Sequence, residues 1–404
     1  MRRYLVYFFI SAVCTALGLA AINWTIDPYA IYQTHGLLEK NEVKPLLTLN
    51  ERVFKTVRLA REKLDVIVLG TSRADIGIDP EHLAVGGLRS ANLATFDQPM
   101  NETRRLFELA SGQNDLKSVV IGLDFFTFNA LRPMPSDFVA DNFAGIRPVQ
   151  LAFSVTTSLD SWKHHKQKTA QPGDCCYSNG ARLPAPSPLG QYRSHFMNSE
   201  KMYLQSKYLP APACKFDFSL PGSEQHSTLQ DMRAVIALAH EKNIALKLFI
   251  SPSHARQWEV IATAGLSEKW QEWKRELVRI NVEEAARAHR SPFPLWDFSG
   301  YNAISSEAVP MDGDMKSRMR WYSDSSHYTP ALGNLLLDRM AGVAAKELPD
   351  DFGVLLTPAT LENQLAAIRR GHLAYRDTHP ADEAEIAQMA MEAARRKYCA
   401  ADSR

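Results

Sequence analysis

An α/β fold built on a parallel sheet is predicted for this chain of 404 residues. Three observations lead there. Asp65–Leu69 and Ser118–Leu123 are near-continuous apolar runs of strand length, the pattern of strands buried on both faces. Between and after them lie amphipathic segments long enough to be helices. The order strand, helix, strand, helix then implies parallel strands covered on both faces.

The elements follow in order. Arg2 and Arg3 precede Tyr4–Ile22, which is almost wholly apolar. That run is long enough to cross a bilayer. A signal segment cleaved near Ala20, at the small-x-small site Gly18-Leu19-Ala20, is the other reading. The length of the run favours the anchor, with both arginines in the cytoplasm and everything from Asn23 onward outside it. Trp24–Tyr29 carries aromatic residues suited to an interface. Asn50–Lys63 has helical periodicity with Asn50 as a cap. Asp65–Leu69 is a central strand, Ser90–Ala94 a second, weaker one. Met100–Ser111 is a helix with Asn101 as its expected cap, and Ser118–Leu123 is the next buried strand, ending at Asp124.

The pattern breaks from about 129 to 222, where prolines and a cysteine pair predict an insertion of short helices and long loops over one end of the sheet. It resumes with a helix over 223–242, a strand at Ile244–Ile250, a helix over 267–289, a strand at Pro294–Phe298 and a helix over 330–346. From about 359 two helical patterns are separated by Thr378-His379-Pro380.

Lys and Arg number 46 against 45 Asp and Glu, so no basic field points to nucleic acid. Of five cysteines, Cys214 can pair with Cys175 or Cys176 in an oxidising compartment, and spacing does not choose between them. Adjacent Cys175 and Cys176 lack the usual zinc-ligand spacing.

Two segments carry chemistry. Ser72 follows the first buried strand, and so stands at the edge of the sheet where reactive groups gather. Asp324-Ser325-Ser326-His327 precedes the helix at Pro330. A serine hydroxyl needs a base, histidine supplies one near neutrality, and a carboxylate orients the ring. The alternative roles are a helix cap for Ser72 and a capping segment for Asp324 to His327.

Gly70-Thr71-Ser72 after a buried strand, with Asp324 and His327 near the end, resembles the SGNH (GDSL-like) hydrolase superfamily. The match covers roughly 64 to 344 and is closest to its membrane-anchored branch, which includes alginate O-acetylation proteins and the D-alanyl transfer protein of lipoteichoic acid synthesis. The resemblance implies a flavodoxin-like three-layer sandwich of SGNH type, with catalytic Ser72, Asp324 and His327, and no metal or organic cofactor. The domain plan is then an anchor or signal segment at 1–23, a juxtamembrane linker and helix at 24–63, an SGNH-like domain at 64–350 with the insertion inside it, and a helical extension at 351–404. It further implies a bacterial cytoplasmic membrane protein whose globular part faces the periplasm, acting on acyl esters of a cell-surface glycan by hydrolysis or transfer.

One departure stands out. Where the family has an asparagine donor to the oxyanion, this chain has Asp124, and an ionised aspartate cannot donate. Asn92, at the end of the second strand, is the candidate substitute; a loop asparagine is its other reading. The Ser72 backbone N–H is a further candidate donor. Arg73 is expected in a surface salt bridge or against an anionic substrate group, and His254, past the Ile250 strand, is a candidate substrate contact. Tyr322 and Tyr328 are candidates for lining a sugar groove; Trp270 and Trp273 share a helical face and are expected in the core. The Asp124 departure keeps a second function open: a non-catalytic accessory that binds glycan or a membrane-bound O-acyltransferase.

Overall fold

The computed structural model describes residues 1–32, 46–82, 88–135, 145–166, 179–184, 187–223, 227–343 and 348–395. In chain order its elements are α1 (Arg2–Ile26), α2 (Glu51–Arg61), β1 (Val66–Leu69), α3 (Ser72–Gly77), β2 (Ser90–Asn92), α4 (Met100–Gln113), β3 (Ser118–Leu123), α5 (Arg147–Ala152), α6 (Val155–Lys166), α7 (Tyr192–Tyr203), α8 (Thr228–Lys242), β4 (Ala245–Ile250), α9 (Ala255–Thr263), α10 (Ser267–Arg287), β5 (Leu295–Asp297), α11 (Pro330–Met340), β6 (Val354–Leu355), α12 (Leu361–Thr378) and α13 (Pro380–Ala394). They form two compact units, one of 1–63 with 135–183, the other of 64–134 with 184–404.

The second unit is mixed α/β. Its six strands run in the order β2-β1-β3-β4-β5-β6, all parallel except β6. The five parallel strands lie where the apolar runs predict them. β6 is two residues long and pairs antiparallel with β5; so short a strand has no period to detect. β1 is buried along its whole length, as the absence of a polar face requires. On one face of the sheet, Val68, Val120 and Phe249 join Ala74 of α3, Phe196 of α7 and Leu332 and Leu336 of α11 in one core. Trp270 and Trp273 are also buried, Trp270 stacked on Trp258 at 5.1 Å between ring centres.

Two helix starts differ from expectation. α4 begins after Pro99, with no side-chain cap, and Asn101 falls inside its first turn. Pro99 occupies the cap position and has no side-chain acceptor to offer the first-turn N–H groups. α8 begins at Thr228 because Ser227 caps it, accepting from Gln230 N–H.

α3 and α11 approach closely because two glycines meet there. A Cβ on Gly333 would lie 1.6 Å from the Gly77 carbonyl oxygen, and one on Gly77 would lie 2.0 Å from the Tyr328 ring. This contact brings two segments together, since α3 begins at Ser72 and α11 begins at Pro330, three residues after His327.

The first unit contains α1, which is long and apolar enough to cross a membrane, with a mean hydropathy of 2.3 over its best window. Asp27 ends it in the left-handed region (φ 46°) and accepts from the N–H groups of Ile31 at 2.7 Å and Tyr32 at 3.0 Å. The Asp27-Pro28-Tyr29 segment is thus a turn. Tyr29, Ile31, Val53 and Leu151 form a small core beside it. Cys214, in the other unit, is disulfide-bonded; Cys175 and Cys176 lie outside the described residues.

Gly333→Ala is expected to lower stability by about 1–3 kcal/mol or more, because a backbone oxygen cannot step aside. Gly112→Ala, with nothing within 4 Å of the added carbon, is expected to raise it by up to about 1 kcal/mol. Denaturant midpoints of the two variants check the contrast.

Candidate functional site

β1 delivers the chain to the carboxyl edge of the sheet at Leu69. Gly70 then turns at φ 142°, and a Cβ there would lie 2.9 Å from the Ala74 Cβ and 3.0 Å from the Gly122 oxygen. Only glycine meets both demands. Thr71, not Ser72, caps α3, its hydroxyl accepting from Arg73 N–H at 3.3 Å. Ser72 is therefore the first helical residue, and among the described residues its backbone N–H has no acceptor.

Ser72 Oγ lies 2.8 Å from His327 Nε2, and His327 Nδ1 lies 2.7 Å from Asp324 Oδ2. Asp324 Oδ1 accepts from the N–H groups of Ser326 at 2.7 Å and His327 at 2.9 Å. Burial alone would raise the Asp324 pKa, but the facing His327 ring and these hydrogen bonds hold its carboxyl well below the usual carboxylate range. An ionised carboxylate only accepts, so His327 carries its hydrogen on Nδ1 and presents Nε2 as acceptor to the Ser72 hydroxyl. The Asp324 segment does not cap α11: Thr329 does, accepting from Leu332 N–H. The isolated bridge between Tyr322 and Tyr328 closes the loop that carries both residues.

Other predicted residues take different places. Asn92 is fully buried and donates to the carbonyls of Ala74 and Ile78, each at 2.9 Å, while its own oxygen accepts from Ala94 N–H. Its amide ties β2 to α3 and is spent on the backbone, so it is not an oxyanion donor here. Arg73 is not a surface residue. It is 2 % exposed and donates from Nη1 to Asp124 Oδ1 at 2.7 Å and from Nε to Ser326 Oγ at 2.9 Å. Its guanidinium lies over the rings of Phe126 and Tyr203, at 5.2 and 5.1 Å. Asp124 accepts from Thr71 Oγ1 at 2.6 Å on its other oxygen. Its charge is thereby compensated, and both oxygens are turned into the protein.

His254 is likewise buried and does not face substrate. Its Nδ1 caps α9, accepting from Arg256 N–H, and its Nε2 donates to the Glu307 carbonyl at 2.7 Å. Tyr322 and Tyr328 are 1 % exposed and belong to the core beneath the loop, not to a groove. Burial follows from their neighbours: Tyr322 packs edge-on against His254, and Tyr328 fills the space over Gly77.

The structure adds residues that spacing along the chain could not mark. Tyr203, on α7, accepts from Ser326 Oγ at 2.6 Å, and Ser199 one turn earlier donates to Asp324 Oδ1 at 3.4 Å. Both are more than 120 residues from their partners. A π-helical turn, Leu204–Tyr208, follows α7 and aims Lys207 at Asp97, 2.5 Å away, which also pairs with Arg132. Among the described residues, no group of three or more His, Cys, Asp or Glu side chains is placed to hold a metal ion. Compared with protein-family models, curated proteins and solved structures, the chain matches none.

Arg73→Met is expected to destabilise the fold by about 3–5 kcal/mol, since it leaves Asp124 buried without its counter-charge; the same change with Asp124→Leu should recover much of the loss in a double-mutant cycle. A pH effect follows from His254. Burial, assisted by Arg256, lowers its pKa to about 4, against roughly 6.5 when unfolded. The unfolded chain then binds a proton between those values that the native chain refuses. The stabilisation, at most about 3 kcal/mol, is complete above pH ~6.5 and is lost as pH falls toward 4. His254→Gln should show a smaller loss of unfolding free energy than the parent between pH 7 and pH 4.5.

Proposed function

We propose that this chain is a membrane-anchored serine esterase or O-acyltransferase of the SGNH type, whose globular part faces the periplasm and acts on acyl esters of a cell-surface polysaccharide. The observation that carries the reading is the continuous relay from Ser72 Oγ through His327 to a buried, ionised Asp324. Its members come from two segments 250 residues apart, so chain proximity does not explain it.

The chemistry follows from the relay. Ser72 Oγ attacks the acyl carbonyl while its proton passes to His327 Nε2. Asp324 stabilises the imidazolium through the Nδ1 hydrogen bond. The Ser72 N–H is the candidate donor to the oxyanion. Collapse of the tetrahedral intermediate breaks the ester bond, and His327 returns its proton to the departing sugar oxygen. Water, or a second sugar hydroxyl, then attacks the acyl-serine and gives its proton to His327; the acyl–Oγ bond breaks and His327 returns that proton to Ser72 Oγ, giving hydrolysis or transfer.

A second reading, a non-catalytic accessory that binds glycan or a membrane-bound O-acyltransferase, is favoured by one observation. Asn92 is occupied and Asp124 is ion-paired, so neither adds a donor to the oxyanion.

The two readings separate on fluorophosphonate labelling of the full chain. The esterase reading expects labelling of the parent, and none of Ser72→Ala or His327→Ala. Asp324→Asn should keep the fold and slow labelling by about 10⁴-fold, as loss of the orienting carboxylate does in such triads. A folded parent that takes no label, beside a multi-span protein that co-purifies with it, would sink the enzymatic reading.

A further inference from the structure

α6 is inside out relative to a helix in water, and α5 before it, which buries Leu151, extends its exposed apolar side. On α6 the polar residues Thr157, Asp160 and Ser161 point inward and are at most 5 % exposed. Val155, Leu159 and Trp162 are 63, 58 and 60 % exposed. Those positions are spaced i, i+4, i+7 and therefore share one face. Around α5, Ile146, Val149 and Phe153 are 49, 59 and 49 % exposed at i, i+3, i+7. Single exposed hydrophobics need no explanation, but six on or flanking two consecutive helices, with the polar side of α6 buried, do.

The inward polar side explains what the pair is bound to. Asn23, in the last turn of α1, is fully buried and donates to the carbonyls of Ala152 at 2.8 Å and Ser154 at 3.0 Å. Ser161 Oγ donates to the Asn23 side-chain oxygen at 3.3 Å, and Tyr29 OH donates to Asp160 Oδ2 at 2.6 Å. These bonds hold the α5–α6 junction at the level where the apolar run of α1 ends. Trp24, half exposed, stands at that same level.

We propose that the exposed face of α5 and α6 is a second membrane contact, lying in the interfacial layer of the bilayer that α1 crosses. This rests on the anchor reading of α1. The occupant is lipid because the face is hydrogen-bonded to the end of the crossing helix and is carried to the headgroup boundary with it. An interfacial helix pair buries its apolar side about 5–10 Å into that boundary. Tryptophan is the residue enriched at this depth, and Trp24 and Trp162 supply two. Lys163, directly after Trp162, has a side chain 68 % exposed and pairs with Asp160 at 2.8 Å, so the carboxylate beside this face is neutralised. The contact gives the first unit a fixed attitude to the bilayer, which a single crossing helix free to rotate about its axis does not.

Quenching by brominated acyl chains tests it on the full chain in phosphatidylethanolamine–phosphatidylglycerol nanodiscs. The emission of each tryptophan is obtained by subtracting Trp162→Phe or Trp24→Phe from the parent, in brominated and in plain lipid. Both residues are expected to lose most of their emission in the brominated discs, with Trp162 blue-shifted in plain ones. If Trp24 is quenched while Trp162 is not, and iodide in the buffer quenches Trp162 instead, the face meets water or a protein partner and the proposal fails with the anchor intact. If neither is quenched by the lipid, α1 is not in the bilayer, and the anchor fails together with the contact built on it.

Discussion

The buried Arg73 guanidinium is the constraint on which the candidate site depends. It belongs to the residue next to Ser72, pairs with Asp124 at the end of β3, and donates to Ser326 inside the loop that carries Asp324 and His327. One planar group thus joins two strand ends to the histidine loop, which lies some 250 residues away in sequence. A flexible ammonium in its place lacks the rigid planar fork that fixes the direction of both bonds. Phe126 and Tyr203, packed edge-to-face against each other, both lie beside the buried guanidinium; burial strengthens each bond and makes loss of any partner costly. Asp124 is the counter-charge that lets this hub stay charged in the interior.

A second buried arginine carries the constraint outward. Arg256 of α9 makes a two-pronged contact with Glu200 of α7, at 2.6 and 2.8 Å, and also meets Asp382 and Glu385 of α13. α7 bears Ser199 and Tyr203, which touch the Asp324–His327 loop. The C-terminal helices are therefore more than a peripheral extension: they brace the helix that braces the loop. Buried ion pairs of this kind add little net stability against a well-packed apolar alternative, but they punish any rearrangement that separates them. Such penalties are suited to keeping Ser72 Oγ and His327 Nε2 within hydrogen-bonding distance.

The first unit obeys a different logic. Its interior is partly polar, with Asn23, Asp27, Asp160 and Ser161 buried, and its outside is apolar along α1, α5 and α6. In water that arrangement leaves apolar surface unburied without compensation. Against lipid, the setting proposed above, Asn23, Asp27, Asp160 and Ser161 keep hydrogen bonds within the protein while the apolar side meets acyl chains.

The five parallel strands, α1 and the partnership of Ser72 with Asp324 and His327 were legible in the sequence. Each rests on local signals: apolar runs of strand length, an unbroken apolar segment after two arginines, and short motifs beside strand or helix ends. Side-chain destinations were not legible where they depend on what packs above them. Asn92, Arg73 and His254 all stand at the expected edge of the sheet, yet each turns inward, because Ala74 and Ile78 carbonyls, Asp124 and the Glu307 carbonyl offer bonds that outcompete exposure to solvent. Tyr328 is buried where two glycines, one on α3 and one on α11, bring those helices into contact, and Tyr322 where it meets the His254 ring. Periodicity along the chain determines which residues reach an edge. Whether a polar group there faces the solvent or the interior is decided only when distant segments fold together and supply, or withhold, its hydrogen-bond partner.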